Sequence, residues 1–289
     1  MDKYISNKIT AQDAGVRLGD YLKTRIGLTK AQIRRLKYRE GALLVNGCHE
    51  RVSRVLAERD KVEIRIEDSS AAERKLVPVD HGLDILYEDE DVICIWKPAG
   101  IVVHPVGCHK QDSIANYLAA YFMKKQEQVQ IRGIGRLDKD TSGVMVFAKN
   151  RIAAARLWDQ KERGIFYKEY TALCEGKFAP EEYGKEYTID MPIGKCAEHA
   201  GKMCVTPEGK RAVTHYRPVE GCRVKLRLET GRTHQIRVHM AYAGHPLKGD
   251  PLYGNGVRLE TRAALSAHRA VFLQPFTDKI IEIEEERAI

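Results

Sequence analysis

The apolar residues of this chain come in short runs, and each run is interrupted by polar or turn-forming residues. Val92–Trp96 is a continuous apolar run that ends at Lys97-Pro98-Ala99-Gly100, and Val144–Ala148 is a second such run. Apolar runs of about five residues, bounded by turn signals, predict buried strands. Residues 224–228 alternate between apolar and charged side chains, which predicts a half-buried strand.

Two longer segments carry helix signals. The sequence predicts helices at Ser113–Lys124 and at Thr233–Ala243, and the second ends before Gly244. Strands dominate and do not alternate regularly with helices. The predicted fold class is therefore α+β and not a doubly wound α/β sheet.

Length and composition exclude several classes of protein. The 289 residues are enough for two domains, and no apolar stretch approaches the roughly 18 residues that span a bilayer. Met1–Thr10 has no hydrophobic signal region, so neither a membrane protein nor a secreted one is expected. Seven scattered cysteines without a Cys-x-x-Cys pair are typical of reduced thiols in the cytoplasm. Cys196, His199 and Cys204 match no standard zinc spacing, so no metal site is predicted.

The positive charge is concentrated near the amino terminus. Residues 15–61 hold twelve Lys or Arg and five Asp or Glu, a net charge of +7 out of +8 for the whole chain. Thr29 is predicted as the N-cap of a helix that runs to about Glu40 and stops at Gly41. Lys30, Arg34 and Lys37 share its exposed face. This clustering predicts contact with an acidic partner, above all nucleic acid.

The basic segment continues into a small strand unit. Residues 42–45 form an apolar strand that ends in the Asn46-Gly47 turn signal, and Val62–Ile66 is predicted as the next strand. The unit resembles a small RNA-binding module that occurs in a ribosomal protein, in tyrosyl-tRNA synthetases and in RNA-modifying enzymes. Arg59 stands where that family usually has Gly.

The densest group of unusual residues is Gly133-Ile134-Gly135-Arg136-Leu137-Asp138-Lys139-Asp140-Thr141-Ser142-Gly143. A dinucleotide loop fails because Asp138 stands where the third glycine belongs. A calcium loop fails because Lys149 stands where the bidentate Glu belongs. An aspartyl phosphotransfer site lacks the apolar strand that leads into the Asp. Two interpretations remain open: a hydrogen-bonded turn, and a reactive carboxylate beside cations.

The second group is Glu229–His239. His234 and His239 are five residues apart with no Glu between them, which argues against a zinc protease helix. The segment is either a turn that caps an amphipathic helix or a set of hydrogen-bond donors for phosphate, a base edge or a carboxylate.

Four motifs in one order resemble the pseudouridine synthases that act on ribosomal large-subunit and related RNAs. These motifs are Lys97–Pro105, Arg136–Gly143, Lys168-Glu169-Tyr170 and Gly231–His239, the last followed by Gly244–Leu247, Gly249-Asp250 and Tyr253-Gly254. The resemblance implies a mixed or antiparallel sheet for the catalytic domain. With the basic module, it covers nearly the whole chain.

The resemblance also implies roles for individual residues. Asp138 is the essential catalytic carboxylate, and Arg237 pairs with it to fix its ionised form and direction. Tyr170 stacks on the target uracil and helps to remove the proton from carbon 5.

Further residues are implied to contact the RNA. Arg136 fills the space left by a flipped nucleotide, and Ile236 packs against the base. Arg232 and His234 bind the RNA backbone. In the amino-terminal module, Lys30, Arg34 and Lys37 are expected to grip phosphates. The family commonly has His where this chain has Gly135.

The sequence therefore predicts three parts: a basic RNA-binding module at 1–68, a linker at 69–80 that contains Ser69–Ala72, and a catalytic domain at 81–289. The expected activity is isomerisation of uridine to pseudouridine in ribosomal or transfer RNA, by a cytoplasmic monomer that needs no cofactor. The main alternative is a non-catalytic RNA-binding or ribosome-assembly factor. An aspartate-dependent phosphotransferase is a more distant one.

Overall fold

The computed structural model describes residues 3–28, 30–66, 76–196, 199, 201–255 and 262–289. The predicted N-cap Thr29 and the predicted linker segment Ser69–Ala72 lie outside the described residues. Within the described ranges, no helix has the length and apolar character needed to cross a membrane.

The amino-terminal part forms a four-stranded antiparallel sheet. Its strands are β1 (Lys3–Lys8), β2 (Leu43–Val45), β3 (Cys48–His49) and β4 (Lys61–Ile66), in the spatial order β1-β4-β2-β3. Helices α1 (Leu18–Thr24) and α2 (Lys30–Lys37) share one apolar core with these strands. Helix α2 ends three residues before the predicted Glu40. The N–H groups of residues 38 and 39 donate to the carbonyls three residues earlier, as in a 3₁₀ turn, and not four residues earlier as in an α-helix.

The turn at Arg59 explains why glycine is the usual residue there. Arg59 has a φ of 72°, in the left-handed region, and its N–H donates to the Ile9 carbonyl at 2.9 Å. A Cβ in this conformation lies too close to the following carbonyl oxygen, at a cost of roughly 1–2 kcal/mol. The sequence anomaly therefore marks a strained turn that the surrounding hydrogen bonds hold in place.

A second, ten-stranded sheet forms the larger part of the molecule. Its strands are β5 (Asp84–Glu88), β6 (Val92–Lys97), β7 (Arg132–Gly133), β8 (Ser142–Ala148), β9 (Tyr167–Leu173), β10 (Tyr187–Asp190), β13 (Val213–Glu220), β14 (Arg223–Leu228), β15 (Leu265–Leu273) and β16 (Ile280–Glu284). The order is β10-β13-β14-β9-β15-β8-β6-β5, with β16 beside β15 and β7 beside β8. Strands β11 (Ile193–Lys195) and β12 (Met203–Val205) form a separate pair. The β15–β8 pair is parallel and the neighbouring pairs are antiparallel, so the sheet is mixed and the fold is α+β, as the sequence predicts.

Two helices of the larger part begin close to where the sequence places them, whereas the helix at Arg151–Glu162 was not predicted. Helix α3 (Ile114–Lys124) follows Ser113, whose hydroxyl accepts the Asn116 N–H in a capping box. Helix α4 (Arg151–Glu162) is capped by the side chain of Asn150. Helix α5 (Gln235–Tyr242) begins two residues after the predicted Thr233, because His234 has left-handed backbone angles that cannot belong to the helix. A short 3₁₀ turn, Pro180–Glu182, follows β9.

Strands β8 and β15 approach each other so closely that only glycine fits between them. Gly143 pairs with Ala267, and a Cβ on Gly143 would lie 2.3 Å from the Ala267 carbonyl oxygen. This contact fixes the first residues of β8, which immediately follow the turn that contains Asp138.

The amino-terminal unit packs directly on helix α4. Ile152, at the start of α4, is buried in the amino-terminal core. Arg156 donates from Nε to the Ile26 carbonyl at 3.0 Å and lies over the Phe276 ring at 4.8 Å. Apolar burial and a side-chain hydrogen bond thus join the two parts of the chain.

Arg59→Gly should increase the stability of the protein by about 1 kcal/mol, because glycine adopts a φ of 72° without the Cβ contact. The free energy of unfolding from urea titrations measures the effect. Arg59→Ala is the matched control, since it removes the charge but keeps the Cβ. If both variants gain stability equally, the cause lies in the side chain and not in backbone strain.

Candidate active site

Asp138 lies in the turn that joins β7 to β8. Its side chain is half-buried, and its carbonyl accepts the Thr141 N–H at 3.2 Å. Gly135, three residues earlier, has a φ of 75°, which glycine adopts without strain. The hydrogen-bonded turn is thus present in this segment, and it presents the Asp138 carboxyl at the edge of the apolar core.

A buried lysine, Lys97, donates hydrogen bonds to this turn and to its own segment. Lys97 is 0% exposed, and its Nζ donates to three carbonyls, those of Pro98 at 2.8 Å, Ile101 at 2.7 Å and Lys139 at 2.8 Å. Burial lowers the pKa of Lys97 to about 8, and the charges of Asp140 and Asp138 act in the opposite direction. The ammonium therefore links residues 97–101 to the residue that follows Asp138.

Tyr170 faces Asp138 from strand β9. It is 8% exposed and belongs to the same apolar core as Ile236. Burial raises the pKa of the Tyr170 phenol, and the charge of Asp138 raises it further. The phenol is thus protonated at neutral pH and offers a flat apolar face together with one O–H donor.

Arg237 forms its ion pair with Asp250, which corrects the prediction of a direct pair with Asp138. Its Nε donates to Asp250 Oδ2 at 2.7 Å and its Nη2 donates to Asp250 Oδ1 at 2.6 Å. Burial opposes the charge of Arg237, but Asp250 outweighs burial and raises the pKa of the guanidinium, with a smaller contribution from Asp138. Arg237 and Asp250 are 13 residues apart, separated by the rest of helix α5 and a loop. No local sequence pattern therefore indicates that they pair.

His234 and Tyr253 complete the surroundings of Asp138. His234 has a φ of 57°, and its Nδ1 lies 3.0 Å from Tyr253 Oη, which also accepts the Met203 N–H at 2.9 Å. Burial lowers the pKa of His234, whereas the charge of Asp138 raises it. Left-handed angles at a non-glycine residue beside charged groups are typical of functional sites. His234 is therefore fixed by its neighbours instead of extending into solvent.

The segment before helix α5 is anchored by Gln235. Its Nε2 donates to the Val213 carbonyl at 2.9 Å, and its Oε1 accepts from the Thr230 hydroxyl and from the Arg232 N–H. Arg232 also donates from Nε to the Arg211 carbonyl at 2.9 Å. Part of the donor capacity predicted for RNA is thus used to hold the loop.

The remaining predicted residues lie on surfaces. Arg136 is exposed next to Leu137 and Asp138, and Lys30, Arg34 and Lys37 are exposed on helix α2, as predicted from the helical spacing. The structure thus brings Asp138 together with residues from four other segments. These residues are Lys97, Tyr170, His234, Arg237 and Tyr253, whose pKa values all respond to the charge of Asp138.

The sequence did not assign a role to Lys97, Asp250 or Tyr253, although each belongs to a motif segment. Lys97 stands beside a proline-glycine turn and Asp250 near the end of a motif. Neither position indicates from sequence which distant residue it contacts. Chemically, the site combines a half-buried carboxyl, a neutral phenol and a neutralised guanidinium. A carboxyl in such surroundings is suited to nucleophilic chemistry.

The chain is similar to known proteins over most of its length. Residues 91–242 match the model of the family described as RNA pseudouridylate synthase, which is more than half of the chain. An uncharacterized RNA pseudouridine synthase of Bacillus subtilis, YhcT, is 41% identical over 236 residues, which are 80% of this chain and 76% of that protein. Ribosomal large subunit pseudouridine synthase D of Escherichia coli is 42% identical over 75% of this chain and 66% of its own length. The structure of human RNA pseudouridylate synthase domain containing 1 shares the fold, with a TM-score of 0.57 at 24% identity, over 71% of this chain and 84% of that one.

Asp250→Ala should destabilise the folded protein by about 3–5 kcal/mol, because it leaves the buried Arg237 without a counter-charge. Urea unfolding at pH 7 measures the loss. Arg237 is the main cause of the lowered pKa of Asp250, so the ion pair stabilises the protein above about pH 4 and is lost at lower pH.

The double variant Arg237→Met with Asp250→Ala is the control, since it removes both charges together, and the single variant Arg237→Met completes the comparison. Its loss should be smaller than the sum of the two single losses. Additive losses would contradict a coupled ion pair.

Proposed function

The chain belongs to the RNA pseudouridylate synthase family, and from this membership we propose that it isomerises uridines of large-subunit ribosomal RNA with Asp138 as the catalytic carboxylate. The enzyme is an RNA pseudouridine synthase, that is, an isomerase. The observation that carries the residue assignment is the meeting of Asp138, Tyr170 and Arg237 from three separate motifs at one edge of the core.

The reaction defines what the site has to do. The bond between uracil N1 and the sugar anomeric carbon breaks, the uracil turns in place, and carbon 5 bonds to the anomeric carbon. Carbon 5 loses one proton and N1 gains one, so nothing is oxidised and no group leaves the enzyme. Asp138 can hold one fragment covalently while the base turns, with the sugar or the base as its point of attack.

Tyr170 serves first as a stacking surface. A uracil in a helix has to leave the stack before it can reach Asp138. Stacking on the Tyr170 ring supplies about 1–3 kcal/mol toward that cost. The charge of Asp138 helps to keep the phenol protonated. Burial keeps the phenol protonated as well, so Tyr170 cannot take up the carbon 5 proton. That proton passes to water, which is what tritium release measures.

Two observations support ribosomal RNA as the proposed target: the name of one relative and the basic surface of helix α2. The Escherichia coli relative at 42% identity is called a ribosomal large subunit pseudouridine synthase. In this chain, helix α2 presents exposed Lys30, Arg34 and Lys37 on a unit that packs against the catalytic part. Such a surface binds phosphates with little sequence readout. This substrate places the proposed enzyme in the cytoplasm.

Asp138→Asn should reduce tritium release from RNA labelled at uracil carbon 5 by at least about 10⁴-fold, because the amide cannot act as the nucleophile. Labelled ribosomal and transfer RNA from a strain that lacks the gene are assayed separately. Asp140→Asn is the matched control, since it removes a carboxylate from the same turn. Release from neither RNA by the wild type would support the non-catalytic alternative, and equal release by Asp138→Asn would remove Asp138 from the mechanism.

Changing Lys30, Arg34 and Lys37 together to Gln should reduce the salt dependence of RNA binding. At about 0.7–0.9 counterions released per phosphate contact, the slope of log affinity against log salt concentration should fall by about 2–3. The control changes Lys177, Lys185 and Lys279 to Gln, which are exposed and lie in the larger part of the molecule. Equal slopes in the two triple variants would show that total charge, and not the α2 surface, determines affinity.

A further inference from the structure

The last turn of helix α4 places an ammonium group between two loops of the active site. A Cβ built on Gly135 would lie 2.9 Å from Lys161 Nζ, and a Cβ on Gly231 would lie 3.9 Å from the same atom. Gly135 directly precedes Arg136, and Gly231 opens the segment that leads to Arg237. Both loops therefore have a glycine where the Lys161 ammonium lies, and a side chain at position 135 would have to displace it.

This ammonium has no anionic partner in the described ranges. Lys161 Nζ lies 4.9 Å from the centre of the Trp158 ring, and within those ranges no carboxylate pairs with it. Burial lowers the pKa of Lys161. Burial, and after it the charge of Lys161, lower the pKa of Lys168 to about 7, so Lys161 is the amine of the two that keeps its charge at neutral pH. Such an arrangement favours an anionic ligand.

Further basic side chains line a cleft between Lys161 and the amino-terminal unit. A cleft of about 620 Å³ lies between helices α2 and α4. Arg35 lines it on one side, Arg132, Arg151 and Trp158 line it on the other, and His104 lies at the catalytic end beside Arg136. Trp158 is 43% exposed, so part of its ring is open to solvent. A phosphodiester chain with unstacked bases matches this combination of guanidinium groups and an open aromatic face.

We propose that Lys161 and Trp158 form a binding site for one phosphate and the adjacent base of the substrate RNA, between helix α2 and the Asp138 turn. The site deepens the proposed function, since it rests on RNA being the substrate converted at Asp138. Lys161 binds the phosphate, Trp158 stacks on the base, and neither touches the reacting atoms. Gly135 leaves room for the ammonium, and its φ of 75° favours glycine independently.

The first test measures how the full-length protein binds an in vitro transcript of Escherichia coli large-subunit ribosomal RNA as the salt concentration rises. Lys161→Met should reduce the salt slope by about one. Lys161→Arg should restore the slope, which separates lost charge from lost folding. Trp158→Ala should weaken binding about fivefold to a hundredfold without changing the slope, because it removes stacking and no charge. Lys177→Met, with an exposed lysine away from the cleft, should match the wild type.

The second test examines the contact with Gly135. Gly135→Ala should weaken RNA binding in the wild type and have a smaller effect in the Lys161→Met background, because the methyl group then displaces nothing. Additive losses would contradict the placement of the ammonium. In tritium-release assays, Lys161→Met should raise KM several-fold and leave kcat within about twofold, as expected for uniform binding.

The outcomes separate the two proposals. If the wild type releases tritium but Lys161→Met keeps the wild-type slope and KM, the phosphate site is wrong and the reaction at Asp138 stands. If the wild type releases no tritium but the slope still depends on Lys161, the reaction proposal is wrong and the phosphate site stands.

Discussion

The turn that contains Asp138 depends on one buried ammonium. Lys97 reaches the carbonyls of Pro98 and Ile101 on its own segment and that of Lys139 in the turn, so each of its three N–H bonds has an acceptor. The Gly100 N–H also donates to the Lys139 carbonyl, at 2.9 Å. Burying a cation is costly unless its hydrogen bonds are satisfied, and here they are satisfied only when the two segments meet. The position of Asp138 is therefore coupled to strand β6, which ends at Lys97.

The division of charge around Asp138 leaves its carboxylate available. Asp250 accepts hydrogen bonds from two nitrogens of Arg237, and from the N–H groups of Leu252 and Tyr253 as well. The guanidinium is thus neutralised by a carboxylate other than the one expected from the sequence. Asp138 experiences the positive field of Arg237 without giving its oxygens to that salt bridge. A carboxylate whose oxygens are not held in a bidentate pair is better suited to attack a carbon atom than one that is so held.

Local features of the chain could be predicted from sequence, whereas its long-range pairs could not. The helix near 113–124, the turn at Asn46-Gly47 and the strand at 144–148 depend on neighbouring residues and were predicted correctly. The fold class follows from the same runs. The Arg237–Asp250 pair and the bond from Lys97 to the Lys139 carbonyl join residues 13 and 42 positions apart. Their geometry depends on how the sheet closes, and no periodicity in the sequence encodes that. His234 shows the same limit, since its left-handed angles shorten a helix that the spacing had extended.

Helix α4 connects the amino-terminal unit, which is expected to bind RNA, to the Asp138 turn, where the RNA is expected to react. Its first turn buries Ile152 in the amino-terminal core, and Lys161 near its other end lies against Gly135. Twelve residues at about 1.5 Å each make a rod of about 18 Å. Because Arg156, in the middle of the rod, also bonds to the Ile26 carbonyl, the amino-terminal unit cannot turn about α4 without breaking that bond. The charge of +7 on residues 15–61 is thus held in a defined orientation to the Asp138 turn. Substrate choice would then depend on the shape of the RNA between these two points as much as on the sequence around the target uridine.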